Sequence, residues 1–171
     1  YPEYLKKDVE DGVLKVYSNG EINYKLKGIH AKASVIWNYQ APEGTGDTHY
    51  SIMRGSKCNI EIKQGKEEAY KPTLYVESTG EELESFTANL EKVISNDLNK
   101  LYPGISLVKK GDNVWTVVIP DKYKIGHEAH FGQVTEKYLR YLKDGSMPEW
   151  EVPNMIVKYY TTTEAMKVAM K

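Results

Sequence analysis

The sequence predicts an α+β fold, a mainly antiparallel open sheet with helices packed on one face. Two observations carry this. Six segments of period-two alternation, joined by short connections rich in Gly, Asn and Pro, precede the first long stretch of helical period. Tight connections of that kind join antiparallel neighbours, whereas parallel strands need a long crossover. The order is also segregated, with strands followed by a helix, a hairpin and two further helices, which gathers the helices on one side of a sheet.

The elements follow in chain order. Pro2 to Glu10 suits a short helix that yields at Gly12. Leu14 and Val16 alternate with Lys15 and Tyr17, and Asn19-Gly20 then reads as a hairpin turn. Ile22, Tyr24 and Leu26 alternate with Asn23, Lys25 and Lys27, and Ala31, Ala33, Val35 and Trp37 share one side of a third strand. The Ala41–Asp47 loop breaks the pattern with two glycines and a proline. Strands at Thr48–Arg54, around Cys58, Ile60 and Ile62, and at Pro72–Glu77 complete the six. Thr79 and Glu82 then have capping-box spacing, and Leu83, Phe86, Leu90, Val93, Ile94 and Leu101 form one helical stripe that Pro103-Gly104 ends. Ile105–Lys109 and Val114–Ile119 make a second hairpin around Gly111-Asp112-Asn113. Phe131, Val134, Tyr138 and Leu142 define a helix stopping at Gly145. After a bend at Pro148–Pro153, a last helix carries Met155, Ile156, Tyr159, Met166 and Met170, with the β-branched run Thr161-Thr162-Thr163 unfavourable to its middle.

Composition limits the partners. The chain has 171 residues, with 23 Lys plus Arg against 24 Asp plus Glu and a net charge of -1. That balance argues against a nucleic-acid binder and against a polybasic membrane partner. Hydrophobic residues at 40% and charged residues at 27% are ordinary globular usage, so one domain over residues 1–171 is expected. The single cysteine, Cys58, excludes an internal disulfide framework and a four-cysteine zinc site, and on an apolar strand face it reads as buried and inert. No apolar run approaches the ~20 residues of a membrane helix. Residue 1 is Tyr1 rather than Met, so the expectation is a chain cut from a longer protein or freed of a leader.

Candidate chemistry is sparse. Gly44-Thr45-Gly46 begins like a dinucleotide fingerprint but leads into a strand, whereas a pyrophosphate needs glycines that open a helix. Asp47-Thr48-His49 places a carboxylate two residues from an imidazole, the spacing of one strand face, alongside the plainer reading of a polar pair at a strand entrance. His127-Glu128-Ala129-His130 misses the i,i+4 histidines of a zincin, because position 131 is Phe131; a helix start with polar caps suits it better than a metal site. No catalytic residue, cofactor-binding residue or metal ligand is assigned. The sheet face away from the helices is unaccounted for: its lysines suit a wet face, but Trp37, Trp115 and many of the 14 tyrosines must also be placed, and a bare aromatic face there is the mark of a partner surface. Tyr24, Trp37 and Tyr50, on three successive strands, suggest an aromatic patch that meets a partner.

Glu21-Ile22-Asn23-Tyr24, Ala41 through Tyr50, Arg54-Gly55, His127 through Phe131 and the tail Thr161 through Ala165 together resemble the "putative oxidoreductase C-terminal domain" of the bacterial Gfo/Idh/MocA dehydrogenase superfamily. The resemblance covers nearly the whole chain. It implies a two-domain parent whose N-terminal Rossmann domain binds NAD or NADP and exchanges hydride with a sugar, cyclitol or related polyol. This chain would supply part of the substrate cleft and, through its sheet face, a homo-oligomer interface. It would hold no cofactor itself, and the location would be cytoplasmic. The superfamily's dinucleotide fingerprint, its Glu-Lys-Pro lysine and its Asp-x-x-x-His pair are all absent here. Trp37, Asp47, His49, His127 and His130 are therefore expected only as substrate-cleft positions. The alternative is a free-standing binding or scaffold module without redox activity; a small hydrolase using Asp47 and His49 is a third reading.

Overall fold

The computed structural model of the chain describes residues 2–14, 18–37, 40–80 and 82–171. The chain divides into two compact units, one made of residues 1–39 and 137–171, the other of residues 40–136.

In the first unit a 3-10 helix at Glu3–Asp8 leads into β1 (Val9–Glu10), which pairs antiparallel with β2 (Val13–Leu14). A second antiparallel pair joins β3 (Gly20–Leu26) to β4 (Ile29–Val35). Both hairpins close through two residues with positive φ, Asp11-Gly12 at 51° and 77° and Lys27-Gly28 at 49° and 82°. That is the type I′ turn, whose twist matches the strands it joins. Asn19-Gly20, the expected turn, is not one: Gly20 pairs with Val35, and the Asn19 side-chain oxygen accepts the Trp37 N–H at 2.6 Å. An Asn-Gly pair makes a hairpin only when its two flanks pair with each other, and β2 pairs with β1 instead. Residues 15–17, the rest of the first alternating segment, lie outside the described residues.

Helix α3 (His127–Asp144) begins in the second unit and ends in the first, and α4 (Glu151–Ala169) touches β3. Pro153 falls in the first turn of α4, where its missing N–H removes no intrahelical bond. The threonine run stays helical, with the Thr162 hydroxyl donating to the Lys158 and Tyr159 carbonyls at 3.1 and 3.2 Å. The two helices are pinned at one point. Lys137 Nζ lies 2.8 Å from Glu151 Oε1, the Tyr141 hydroxyl donates to the same oxygen at 3.1 Å, and the ammonium sits 4.8 Å from the centre of the Trp150 ring. The Lys137 ammonium and then the Tyr141 hydroxyl hold the Glu151 carboxyl below the usual carboxylate range. A carboxyl lowered by folding adds stability above its unfolded pKa and loses it as pH falls through the folded value. The melting-temperature advantage of the wild type over Glu151→Gln should therefore be flat near neutrality and shrink progressively as pH falls from the ordinary glutamate range, about 4.3, through the lower folded value. An advantage that persists undiminished into stronger acid would remove the ion pair from the account.

The second unit is built on a five-stranded open sheet of β5 (His49–Arg54), β6 (Cys58–Gln64), β7 (Thr73–Ser78), β8 (Ser106–Lys109) and β9 (Val114–Val118). The order is β5-β6-β7-β9-β8, and every neighbouring pair is antiparallel. Between β7 and β8 the chain forms α1 (Leu83–Lys92), a π-helical turn at Val93–Leu98 and the short α2 (Asn99–Leu101). Register aligns Ile60, Val76 and Trp115, and likewise Ile62, Leu74 and Val117; Val76, Trp115 and Val117 are buried, whereas Ile60 and Ile62 stay exposed. Val76, Ile94, Ile105 and Val117 are buried together, with Phe86, Leu90 and Leu98 of the helical stretch packed on them. Each such aliphatic side chain is worth about 1.5–3 kcal/mol of burial. The fold is the expected α+β class, a mainly antiparallel open sheet with helices on one face.

Several expectations need correction. The six leading strands do not share one sheet: β3 and β4 pair only with each other, so Tyr24 and Trp37 are not cross-strand neighbours of Tyr50. Trp115 is not on the open face but in the core, 3% exposed and 5.7 Å from the Phe86 ring. The Thr79–Glu82 capping box does not form; α1 starts without a side-chain cap. Thr79 instead donates its N–H to the Lys57 carbonyl at 3.0 Å, which ties it to the sheet. Cys58 is half-buried against the core. The face away from α1 is wet and ionic as much as aromatic, with Lys63 Nζ 2.7 Å from Glu61 and 5.2 Å from the centre of the Tyr75 ring. There the Tyr75 hydroxyl donates to Glu68 at 3.1 Å, and partial burial raises its pKa.

Candidate functional site

Within the second unit, the segments on either side of the β8–β9 hairpin converge on a hollow of about 370 Å³. It is lined by Ile105 and Ile119 on the core side, by the more exposed Ile125, and by Tyr102, Tyr123, Lys122, His130 and Gln133. Local sequence explains the shape. The last helical turn ends at Tyr102, and the chain reverses through Pro103-Gly104, where Gly104 has φ of 101°. A Cβ there would lie 3.0 Å from Pro120 Cγ, so only glycine gives both the left-handed backbone and this approach. Asn99 clamps the reversal: its amide donates to the Ile105 carbonyl at 2.7 Å, and its oxygen accepts the Gly104 N–H at 3.1 Å.

Pro120 opens a 3-10 turn at Asp121–Tyr123. Tyr123 is oriented by its hydroxyl, which donates to the Pro103 carbonyl at 3.3 Å, and by edge-to-face contact with Tyr102 at 5.7 Å. Four residues after Gly126, α3 brings in His130, whose N–H donates to the Gly126 carbonyl at 3.2 Å; Gln133 follows one turn later on the same face. An apolar lining with a few convergent polar groups is the usual make-up of a small-molecule site.

The electrostatics favour negative charge. Asp121 is held by Lys124 Nζ at 2.9 Å, and that contact keeps its carboxyl below the ordinary range. Lys122 has no such partner among the described residues and rests 4.9 Å from the centre of the Tyr123 ring.

Of the five residues singled out from sequence, the structure brings His130 to this hollow and leaves the others elsewhere. His127 opens α3, 4.8 Å from the Phe131 ring, and does not line the hollow. Asp47 precedes β5 and gives its backbone carbonyl to the Gln64 amide at 2.7 Å. His49 is the first residue of β5, opposite Gln64, so Asp47 and His49 do not share a strand face. Trp37 follows β4 in the first unit and is 73% exposed. Among the described residues, no group of three His, Cys, Asp or Glu could hold a metal ion, and no helix is long and apolar enough to cross a membrane. Sequence reasoning missed Tyr102, Lys122, Tyr123 and Gln133. The usable signal was Pro103-Gly104 and Pro120, which mark two chain reversals flanked by tyrosines.

The "Putative oxidoreductase C terminal domain" family model matches residues 1–170. A crystal structure of a "putative oxidoreductase" from Parabacteroides merdae superposes with a TM-score of 0.87 at 56% sequence identity. The match covers 99% of this chain but 39% of that protein, so this chain spans well under half of the solved relative's length. No curated protein matches the chain.

Proposed function

We propose, from the premise that this chain belongs to the "Putative oxidoreductase C terminal domain" family, that it is the C-terminal part of an NAD(P)-dependent oxidoreductase of the Gfo/Idh/MocA superfamily. In this reading an N-terminal Rossmann domain of the same protein holds the nicotinamide, the substrate is a sugar, cyclitol or related polyol, and the setting is cytoplasmic. This chain adds part of the substrate cleft and an oligomer interface. The observation that carries the proposal is the family match along residues 1–170. The solved relative supports it, because a protein of which this chain covers 39% has room for a dinucleotide domain.

The cofactor does not fit this chain's own glycines. Gly44-Thr45-Gly46 precedes β5, whereas a pyrophosphate is met by the N–H groups of a helix start. The loop is instead closed on itself, with the Thr45 N–H and hydroxyl donating to the Pro42 carbonyl at 3.0 and 2.6 Å. Binding of the nicotinamide is thus assigned to the preceding domain. The hollow at Tyr102, Tyr123 and His130 is the strongest cleft candidate here, and Trp37, Asp47, His49 and His127 remain cleft positions on the same reading. The exposed apolar helices support an interface: Val134 and Leu142 of α3 and Ile156, Tyr160 and Val168 of α4 are all 60% exposed or more. Large apolar side chains exposed on each helix are what a partner surface would cover.

Calorimetric titration with NADH tests the proposal. The protein encoded by the full reading frame should bind one NADH, or one NADPH in a parallel titration, per chain, and the 171-residue chain should give no heat of binding with either. Stoichiometric binding to the 171-residue chain, or none to the full-length protein, overturns it.

A further inference from the structure

We propose that the hollow between α2, the 3-10 turn at Asp121–Tyr123 and the start of α3 binds a small ring compound that carries one anionic group. The inference rests on the preceding reading only in taking a polyol ring as the ligand.

Four polar side chains from three separate segments meet there without an internal use. The Tyr102 hydroxyl and the Gln133 amide make no hydrogen bond among the described residues, the His130 imidazole makes none, and Lys122 has only the ring of Tyr123. Polar groups that merely decorate a surface do not need a shared apolar lining, and here Ile105, Ile119 and Ile125 supply one. A flat C–H face of a ring can lie on that lining and against the tyrosine rings, as amphipathic rings do on aromatic side chains. Charge then selects among such rings. Asp121, the sequence neighbour of Lys122, is taken by Lys124, and Lys122 has no ion pair among the described residues, so a carboxylate or phosphate on the ligand would be its counter-ion. His130 and Gln133, one turn apart on α3, are left to meet the ring hydroxyls.

The probes are glucuronate, glucose 6-phosphate and glucose, each titrated into the protein while its amide NMR spectrum is followed. The proposal expects either anionic sugar to bind up to about fivefold more tightly than glucose, with the shifts centred on Tyr102, Lys122 and His130. A fivefold preference is what one partly exposed charge pair supplies. The tighter of the two anions identifies carboxylate or phosphate as the source. Lys122→Met should remove the preference and leave the melting temperature unchanged, because the lysine is exposed. Tyr102→Ala should weaken all three probes together. Equal affinity for glucose and both anions, a preference that survives Lys122→Met, or no binding of any probe overturns the proposal. The NADH titration is independent of these arms: anion binding without nicotinamide binding by the full-length protein sinks the oxidoreductase reading alone, and the reverse result sinks this inference alone.

Discussion

Trp115→Ala is expected to lower the stability of the second unit by about 3–5 kcal/mol, the range for deleting a buried aromatic ring. Trp115 is 3% exposed on β9, an inner strand bonded to β7 on one side and β8 on the other. Its indole meets the Phe86 ring of α1 at 5.7 Å and lies abreast of Val76. A sheet bonded on both sides cannot collapse into the space left behind, so the cavity penalty adds to the lost burial. Chemical denaturation followed by circular dichroism reads the loss directly. Trp37→Ala is the matched control: at 73% exposure it should stay within about 0.5 kcal/mol of the wild type. A loss below about 1 kcal/mol for Trp115→Ala would take the indole out of the core.

That pair of tryptophans shows where sequence was legible. Strand-like patterning marks every strand of the five-stranded sheet, and in β7 it follows burial, with Val76 buried between half-buried Tyr75 and Glu77; in β6 it does not, since Ile60 and Ile62 are exposed while Glu61 and Lys63 are half-buried. Alternation says which residues share a face, but not which face meets the helices or which strands become neighbours. Those are decided by pairing at long range. Alternation therefore fixes no face for Trp115, and it puts Tyr24 and Tyr50 on one apparent patch although their strands belong to different sheets. The hairpin turns show a related gap. Asp11-Gly12 and Lys27-Gly28 carry the positive φ angles, yet Asn19-Gly20 had the stronger local signal. The candidate site was barely legible for a similar reason. Tyr102, Lys122 and His130 come from three segments, and no spacing in the chain records that they converge. His130 alone was noticed, because it sits i,i+3 from another histidine, and that neighbour proved irrelevant to the hollow.

Ile94→Ala should cost about 2–5 kcal/mol while Leu101→Ala, seven residues on in what reads as the same stripe, should cost less than about 0.5 kcal/mol. Ordinary helical spacing puts Leu83, Phe86, Leu90, Ile94 and Leu101 on one face. The structure keeps Phe86, Leu90 and Ile94 on the core and then departs: Ile94 is 5% exposed, Leu98 packs beside it, and Leu101 is 71% exposed. The cause is the π-helical turn at Val93–Leu98, whose wider i→i+5 bonding takes up one extra residue. Every later position is displaced by one, so Leu98 replaces position 97 on the buried face. Leu101 is left on the exposed side, and Tyr102, the non-helical residue that ends α2, is 49% exposed with its ring against Tyr123 at the edge of the hollow. Denaturation midpoints of the two variants decide the matter, and comparable losses for both would restore an unbroken helix with Leu101 on the buried face.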